Sequence, residues 1–113
     1  MPFIPTTPPQ DATGKLKEEF ARIEKERGAV GTIFRVTGAH PGITSLHLDL
    51  YKEVVYGDSP LSRRERELVA TVVSRANECA YCVAHHADAF GRHANEPGLQ
   101  ALVATDYTKA SLS

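Results

Sequence analysis

No stretch of this chain alternates polar and apolar residues with the period of two that a half-buried strand needs. Apolar residues recur instead three and four positions apart, in segments opened by proline or closed by glycine. That pattern calls for short amphipathic helices packed on one another. Leu16, Phe20 and Ile23 mark a helix from about Thr13 to Arg27, supported by a Glu18–Arg22 pair and stopped by Gly28. A shorter helical piece covers Val30 to Thr37 and ends at Gly38, with Val30, Ile33, Phe34 and Val36 expected inward. Pro41 suits the first turn of a third helix reaching Tyr56, with Gly57 as its stop. Its expected buried stripe is Ile43, Leu46, Leu50 and Val54.

Asp58-Ser59-Pro60 is a turn, and Ser62-Arg63-Arg64-Glu65 is a capping box that opens a fourth helix, Arg63 to about Ala76. Leu68, Val69, Val72, Val73 and Ala76 read as its apolar face. Glu67, Thr71 and Ser74 read as a separate polar stripe. The β-branched run from Val69 to Val73 has strand propensity, which the cap and the segment length override. Asn77 is expected to end this helix and to cap a fifth, running to about Ala94, with Cys79 in its first turn and Cys82 in its second. Val83, Ala87 and Phe90 are its packing residues. Pro97 permits a new start, and Leu99, Leu102 and Val103 suggest a sixth short helix. The expected class is all-α, with about six helices.

Pro2, Pro5, Pro8 and Pro9 exclude a helix or central strand at the N-terminus. An extended arm over 1–12 is expected ahead of one helical domain over 13–113. The arm is either a loose terminus or a clasp on a neighbouring subunit. At the other end, Ala110-Ser111-Leu112-Ser113 echoes Ser59-Pro60-Leu61-Ser62, the run into the fourth helix. The chain is expected either to be cut short before a further helix or to end in a frayed natural C-terminus.

The balance of charge narrows the function classes. Thirteen Lys and Arg residues stand against 14 Asp and Glu in 113 residues, with no basic patch for nucleic acid and no charge block. No apolar run approaches the roughly 18 residues of a membrane span, and the N-terminus has no secretory pattern. A cytoplasmic protein is expected. There a C-x-x-C pair is reactive or metal-binding more often than it is a structural staple.

Such a pair is present in the stretch from Glu67 to His86. Cys79 and Cys82 are the only cysteines, His86 lies four residues beyond the second, and Glu67 twelve before the first. In helical geometry Cys79, Cys82 and His86 fall within about 60° of one another. A thiol attacks as the thiolate, and free cysteine has a pKa of about 8.5. Here a helix N-terminus supplies partial positive charge, the second sulfur can donate to the first, and His86 can accept a proton one turn beyond Cys82. Glu67, from another helix, can orient His86 or relay its proton. Two other readings compete. Cys79, Cys82, His86 and His93 are a possible zinc set, although the segment lacks the glycine or proline of a zinc turn. The thiols can also be inert core residues. His40 and His47 read as ordinary helix-flank residues, His85 points away from His86, and Tyr81 is either packing or a donor between the sulfurs.

The run Ser74-Arg75-Ala76-Asn77-Glu78-Cys79-Ala80-Tyr81-Cys82, with Glu67 before it and His86 after it, resembles the core motif of the alkylhydroperoxidase D-like family, in the carboxymuconolactone decarboxylase superfamily. The preceding Tyr56-Gly57-Asp58-Ser59-Pro60-Leu61-Ser62-Arg63-Arg64-Glu65-Arg66-Glu67 resembles its peroxidase-related branch. The resemblance is strongest over Leu46 to His93. It implies an all-helical bundle assembled as trimers or hexamers. It also implies reduction of hydroperoxides by the cysteine pair, without a cofactor, and recharging by lipoyl or thioredoxin-like dithiols. By the same resemblance Cys82 attacks the peroxide, Cys79 resolves, and Glu67 with His86 relays protons. Tyr81 departs from the best-known members, which carry histidine there. Members of this branch also continue into further helices. Two alternatives of other kinds are a decarboxylase or lactone-handling enzyme, and a non-catalytic redox or zinc assembly module.

Overall fold

A computed structural model describes residues 3–111. Met1, Pro2, Leu112 and Ser113, parts of the expected arm and of the C-terminal echo, lie outside the described residues. The described residues contain helices α1 (Gly14–Arg27), α2 (Thr32–Arg35), α3 (Pro41–Tyr56), α4 (Arg63–Ala76), α5 (Ala80–Ala94) and α6 (Leu99–Asp106). Single 3-10 turns occupy Pro9–Asp11 and Tyr107–Lys109, and no strand occurs among these residues. The all-α expectation holds. The chain divides into two compact units, with the boundary between Val54 and Val55 near the end of α3. None of the described helices is long and apolar enough to cross a membrane.

The first unit is built on α1. Gly28, at φ 84°, closes that helix in the left-handed conformation, and its N–H bonds Glu24 O at 2.8 Å. Phe20 and Ile23 pack with Ala12, Phe34 and Leu48, and Leu16 and Val30 lean against this cluster. The expected stripe of α3 is corrected here. Thr44 and Leu48 are the buried residues, whereas Leu46, Leu50 and Val54 are 69%, 63% and 62% exposed and Ile43 is exposed too. Polar anchors set the rotation of α3. Arg22 donates to Ser45 Oγ at 2.7 Å and to Asp49, and Lys52 pairs with Glu26 at 2.7 Å. Thr44 is tolerated inside because its hydroxyl bonds Thr37 Oγ1 at 2.9 Å. Ile33, expected inward, is also exposed, since only Phe34 of the one-turn α2 reaches the core.

The second unit packs α4 and α6 on α5. Phe90, Ala94, Leu99 and Val103 form its core, with Leu68, Val72, Tyr107 and Ala110 at the margin. The capping box is present in both directions: Glu65 N–H donates to Ser62 Oγ at 3.2 Å, and Ser62 N–H to Glu65 Oε2 at 2.7 Å. The face of α4 is again not the expected one. Glu67, Thr71 and Ser74 are buried, while Val69, Val73 and Ala76 are exposed. Two of the buried polar groups are satisfied inside the helix: Thr71 Oγ1 donates to Glu67 O at 2.7 Å and Ser74 Oγ to Ala70 O at 2.6 Å.

The turn between α4 and α5 sets the position of the cysteines. Asn77 ends α4 as expected, but Cys79, not Asn77, is the N-cap of α5, and Cys82 falls in its first turn. Glu78 N–H bonds Arg75 O and Cys79 N–H bonds Ser74 O, both at 3.1 Å. These are the paired bonds of a Schellman ending, which needs a left-handed residue at Glu78. Glu78 supplies it at φ 55°, where glycine is the usual occupant. A left-handed non-glycine residue costs about 1–2 kcal/mol, and glycine loses part of that gain through its freer unfolded chain. Glu78→Gly is therefore expected to stabilise the protein by roughly 0.5–1 kcal/mol. Thermal unfolding checks this, and an unchanged or lowered midpoint would show that the turn carries no such strain.

Candidate active site

The site is assembled from the first two turns of α4 and α5. Cys79 and Cys82 are joined as a disulfide, with Cα atoms 5.3 Å apart. Cys79 Sγ also accepts the Cys82 N–H at 3.4 Å, so the sulfur itself caps α5. Both cysteines are half-buried. One turn further along α5, His86 Nδ1 lies 2.8 Å from Glu67 Oε2 on α4. The other carboxylate oxygen, Oε1, receives Arg63 Nε at 2.7 Å. The Glu67 side chain is 3% exposed and that of His86 is 19% exposed, so the carboxylate is sequestered while the imidazole keeps access to solvent.

Burial opposes charge on Glu67, but the hydrogen bonds from His86 and Arg63 outweigh it and hold the carboxyl below its ordinary pKa range. An ionised carboxylate only accepts, so Nδ1 of His86 is the donor in the 2.8 Å contact. In neutral His86 the lone pair is then on Nε2. A ring nitrogen free to take a proton, oriented through its other nitrogen, is the arrangement of a general base.

Glu67, Cys79, Cys82 and His86 are thus placed on two adjoining helices, with Glu67 and His86 in direct contact. The possible zinc set is not assembled: no group of three or more His, Cys, Asp or Glu among the described residues could hold a metal ion. The exposed His93 is not drawn to the cysteines. His85 stands edge-on to His86 at 5.2 Å between centroids and stacks on Tyr81, itself 81% exposed, at 6.3 Å. Tyr81 therefore faces outward and is not packed between the sulfurs. In the first unit, His47 lies against Phe34 at 5.1 Å and His40 Nδ1 accepts from Ile43 N–H at 3.4 Å. An open groove of about 430 Å³, lined among others by Arg75, Glu78, Ala80, Val83 and Thr105, adjoins the α4–α5 turn. It follows a different flank of α5 from Cys82 and His86. Arg63 was not singled out by its sequence. The one available signal was its spacing, one helical turn ahead of Glu67.

The chain is thus an all-α protein with a cysteine pair at the N-terminus of α5, and a histidine of that helix bonded to a buried glutamate of α4. The matching family model is that of the carboxymuconolactone decarboxylase family, over residues 41–104. The chain belongs to that family. Among solved structures, it is similar to an uncharacterized peroxidase-related protein from Silicibacter sp. TM1040, at 27% identity and a TM-score of 0.68, covering 86% of this chain and 51% of that one. It is also similar to an alkylhydroperoxidase AhpD core, an uncharacterized peroxidase-related protein from Ralstonia eutropha JMP134. There the identity is 22% and the TM-score 0.72, covering 97% of this chain and 58% of that one. The fold is accordingly AhpD-like, and the chain spans about half the length of these solved structures. No curated protein matches the sequence.

The buried carboxylate makes the site acid-labile. Because the Glu67 pKa is lowered in the fold, its stabilisation is complete above the unfolded carboxyl value of about 4.3 and is lost as pH falls through the folded one. Denaturation midpoints of the oxidised wild type should fall below about pH 4.3 more steeply than those of Glu67→Gln. Parallel acid limbs would mean that Glu67 is not the group that titrates.

Proposed function

We propose that this protein is a thiol-dependent peroxidase that reduces hydroperoxides through a Cys79–Cys82 dithiol–disulfide cycle. The supporting observation is the 2.8 Å bond between His86 and Glu67, on the helix whose N-terminus carries the cysteine pair. In the reduced protein, His86 takes the thiol proton of Cys82. The thiolate sulfur attacks the distal oxygen of the hydroperoxide and the O–O bond breaks. The departing alkoxide receives the proton from His86 and leaves as the alcohol, with Glu67 orienting the imidazole throughout. Cys82 is now a sulfenic acid. Cys79 attacks its sulfur, water leaves, and the disulfide forms. An external dithiol, lipoyl or thioredoxin-like, restores both thiols by exchange and becomes a disulfide itself. The cycle uses neither a metal nor an organic cofactor, and a cytoplasmic supply of reduced thiols suits it.

The family match favours a second reading, a decarboxylase or lactone-handling enzyme. Such chemistry has no use for a dithiol. Peroxide consumption with dithiothreitol or dihydrolipoamide separates the two. Cys82→Ser should abolish it, and Cys79→Ser should leave a sulfenic acid on Cys82 that dimedone traps. His86→Ala and Glu67→Gln should each slow turnover by about 10²–10⁴-fold with the fold intact. Labelling of Cys79 alone in the matching single variants would reverse the cysteine roles, and wild-type rates without His86 or Glu67 would remove that residue from the mechanism.

Self-association, as a trimer or hexamer, belongs to the same proposal. Leu46, Leu50 and Val54 on α3 and Val69 and Val73 on α4 leave apolar stripes exposed, and a second copy is the partner that would cover them. Sedimentation at micromolar concentration should find oligomers; a well-dispersed monomer would sink this part.

A further inference from the structure

Arg63 stands at the first position of α4, one turn before Glu67. Its Nε donates to Glu67 Oε1 at 2.7 Å and its Nη2 reaches the same oxygen. Glu67 Oε2 is left to His86. The carboxylate is thus divided, one oxygen to a guanidinium and the other to an imidazole. The guanidinium lies over the Tyr56 ring, 4.2 Å from Cζ to centroid, which leaves the Arg63 side chain 27% exposed. This differs from an exposed i,i+4 pair, because the acidic partner is almost wholly buried.

We propose that Arg63 is a positioning residue that keeps His86 neutral, by matching the Glu67 charge itself and so leaving the Nε2 lone pair of His86 free to take a proton. The inference deepens the peroxidase reading and, as far as it concerns catalysis, rests on it. A buried carboxylate facing a histidine alone favours the imidazolium, since that cation is the one available partner for its charge. An imidazolium has no lone pair and cannot act as a base. With Arg63 in place the negative charge is already matched, and a second cation at His86 meets a neutral pair. Arginine suits this role because its guanidinium stays protonated at every pH the fold survives.

Several other charged groups of the unit have partners of their own. Arg64 pairs with Glu96 at 3.1 Å and lies over Phe90. Arg75 donates to Thr105 O at 3.1 Å, and Asp88 pairs with Arg92 on the exposed side of α5. His85 presents its ring edge-on to His86, and Tyr56 acts on Arg63. Arg63 and His86 are the two basic partners that Glu67 has among the described residues.

The test reads His86 directly, by ¹⁵N NMR of imidazole-labelled, disulfide-bonded protein, with the resonance assigned by His86→Gln. No peroxide is needed. Arg63→Met should raise the ratio of imidazolium to neutral imidazole at His86 at neutral pH by roughly three- to tenfold, and Arg63→Lys, which keeps the charge, should restore most of the wild-type ratio. If Arg63→Met fails to fold, Arg63→Gln retains a donor to Oε1 and serves the same measurement. A wild-type imidazolium fraction in a folded charge-removing variant overturns the inference, whatever the protein does to peroxides. The expected NMR response in a wild type that consumes no peroxide would uphold the charge assignment and sink the peroxidase reading alone.

Discussion

The second unit is organised by one costly placement, the carboxylate of Glu67 between two helices. An ionised carboxylate out of water is unfavourable unless its oxygens are paired. Here the oxygens are shared between Arg63 and His86. That requirement fixes the rotation of α4 about its own axis, because Glu67 can meet His86 only if its stripe faces α5. Thr71 and Ser74 follow Glu67 inward, and they are tolerated there because each returns its hydroxyl to a carbonyl four residues back. Leu68 and Val72 are left at the margin of the Phe90 cluster, and Val69 and Val73 are turned out.

That rotation is where the sequence is a poor guide. Apolar periodicity locates helices well, because glycine and proline punctuate them and the Ser62–Glu65 capping box is purely local chemistry. The helix boundaries and the all-α class were legible for that reason. Which face is buried depends on partners from other helices. In α3 and α4 the stripe with the strongest apolar signal, Ile43, Leu46, Leu50 and Val54 or Val69 and Val73, is exposed. Ion pairs and hydroxyl back-bonds, invisible to a hydrophobic pattern, set the orientation. The candidate site was legible in its members because cysteine, histidine and glutamate at fixed spacing carry chemistry irrespective of which face is apolar. Arg63 stayed hidden because arginine one turn before a glutamate is common on solvated helix surfaces, and only the burial of Glu67 gives the pair weight.

The α4–α5 turn joins this electrostatic frame to the cysteines. Its Schellman bonds make Cys79 both the last residue to bond back into α4 and the cap of α5. Displacement of α4 relative to α5 would therefore disturb the sulfur and the Glu67–His86 bond together. Glutamate in the left-handed position at Glu78 is consistent with a turn whose geometry is imposed by the two helices and not by the local preference of the residue.

The two cysteines are served by different parts of this frame, and in the proposed cycle that difference divides their work. Cys79 Sγ receives a backbone N–H at the helix N-terminus, where negative charge is favoured whatever the state of any side chain. Cys82 lies within the first turn, and in the proposed cycle His86, one turn further on, accepts its proton. Attack on a peroxide needs a nucleophile whose proton can be stored and then returned to the leaving alkoxide, which suits the cysteine placed with the histidine. Release of the disulfide needs a sulfur that leaves readily as thiolate, and a better stabilised thiolate leaves faster. An incoming dithiol would then attack Cys82 and expel Cys79. In that cycle one helix terminus would favour regeneration of the pair, while the Arg63–Glu67–His86 chain would govern its use.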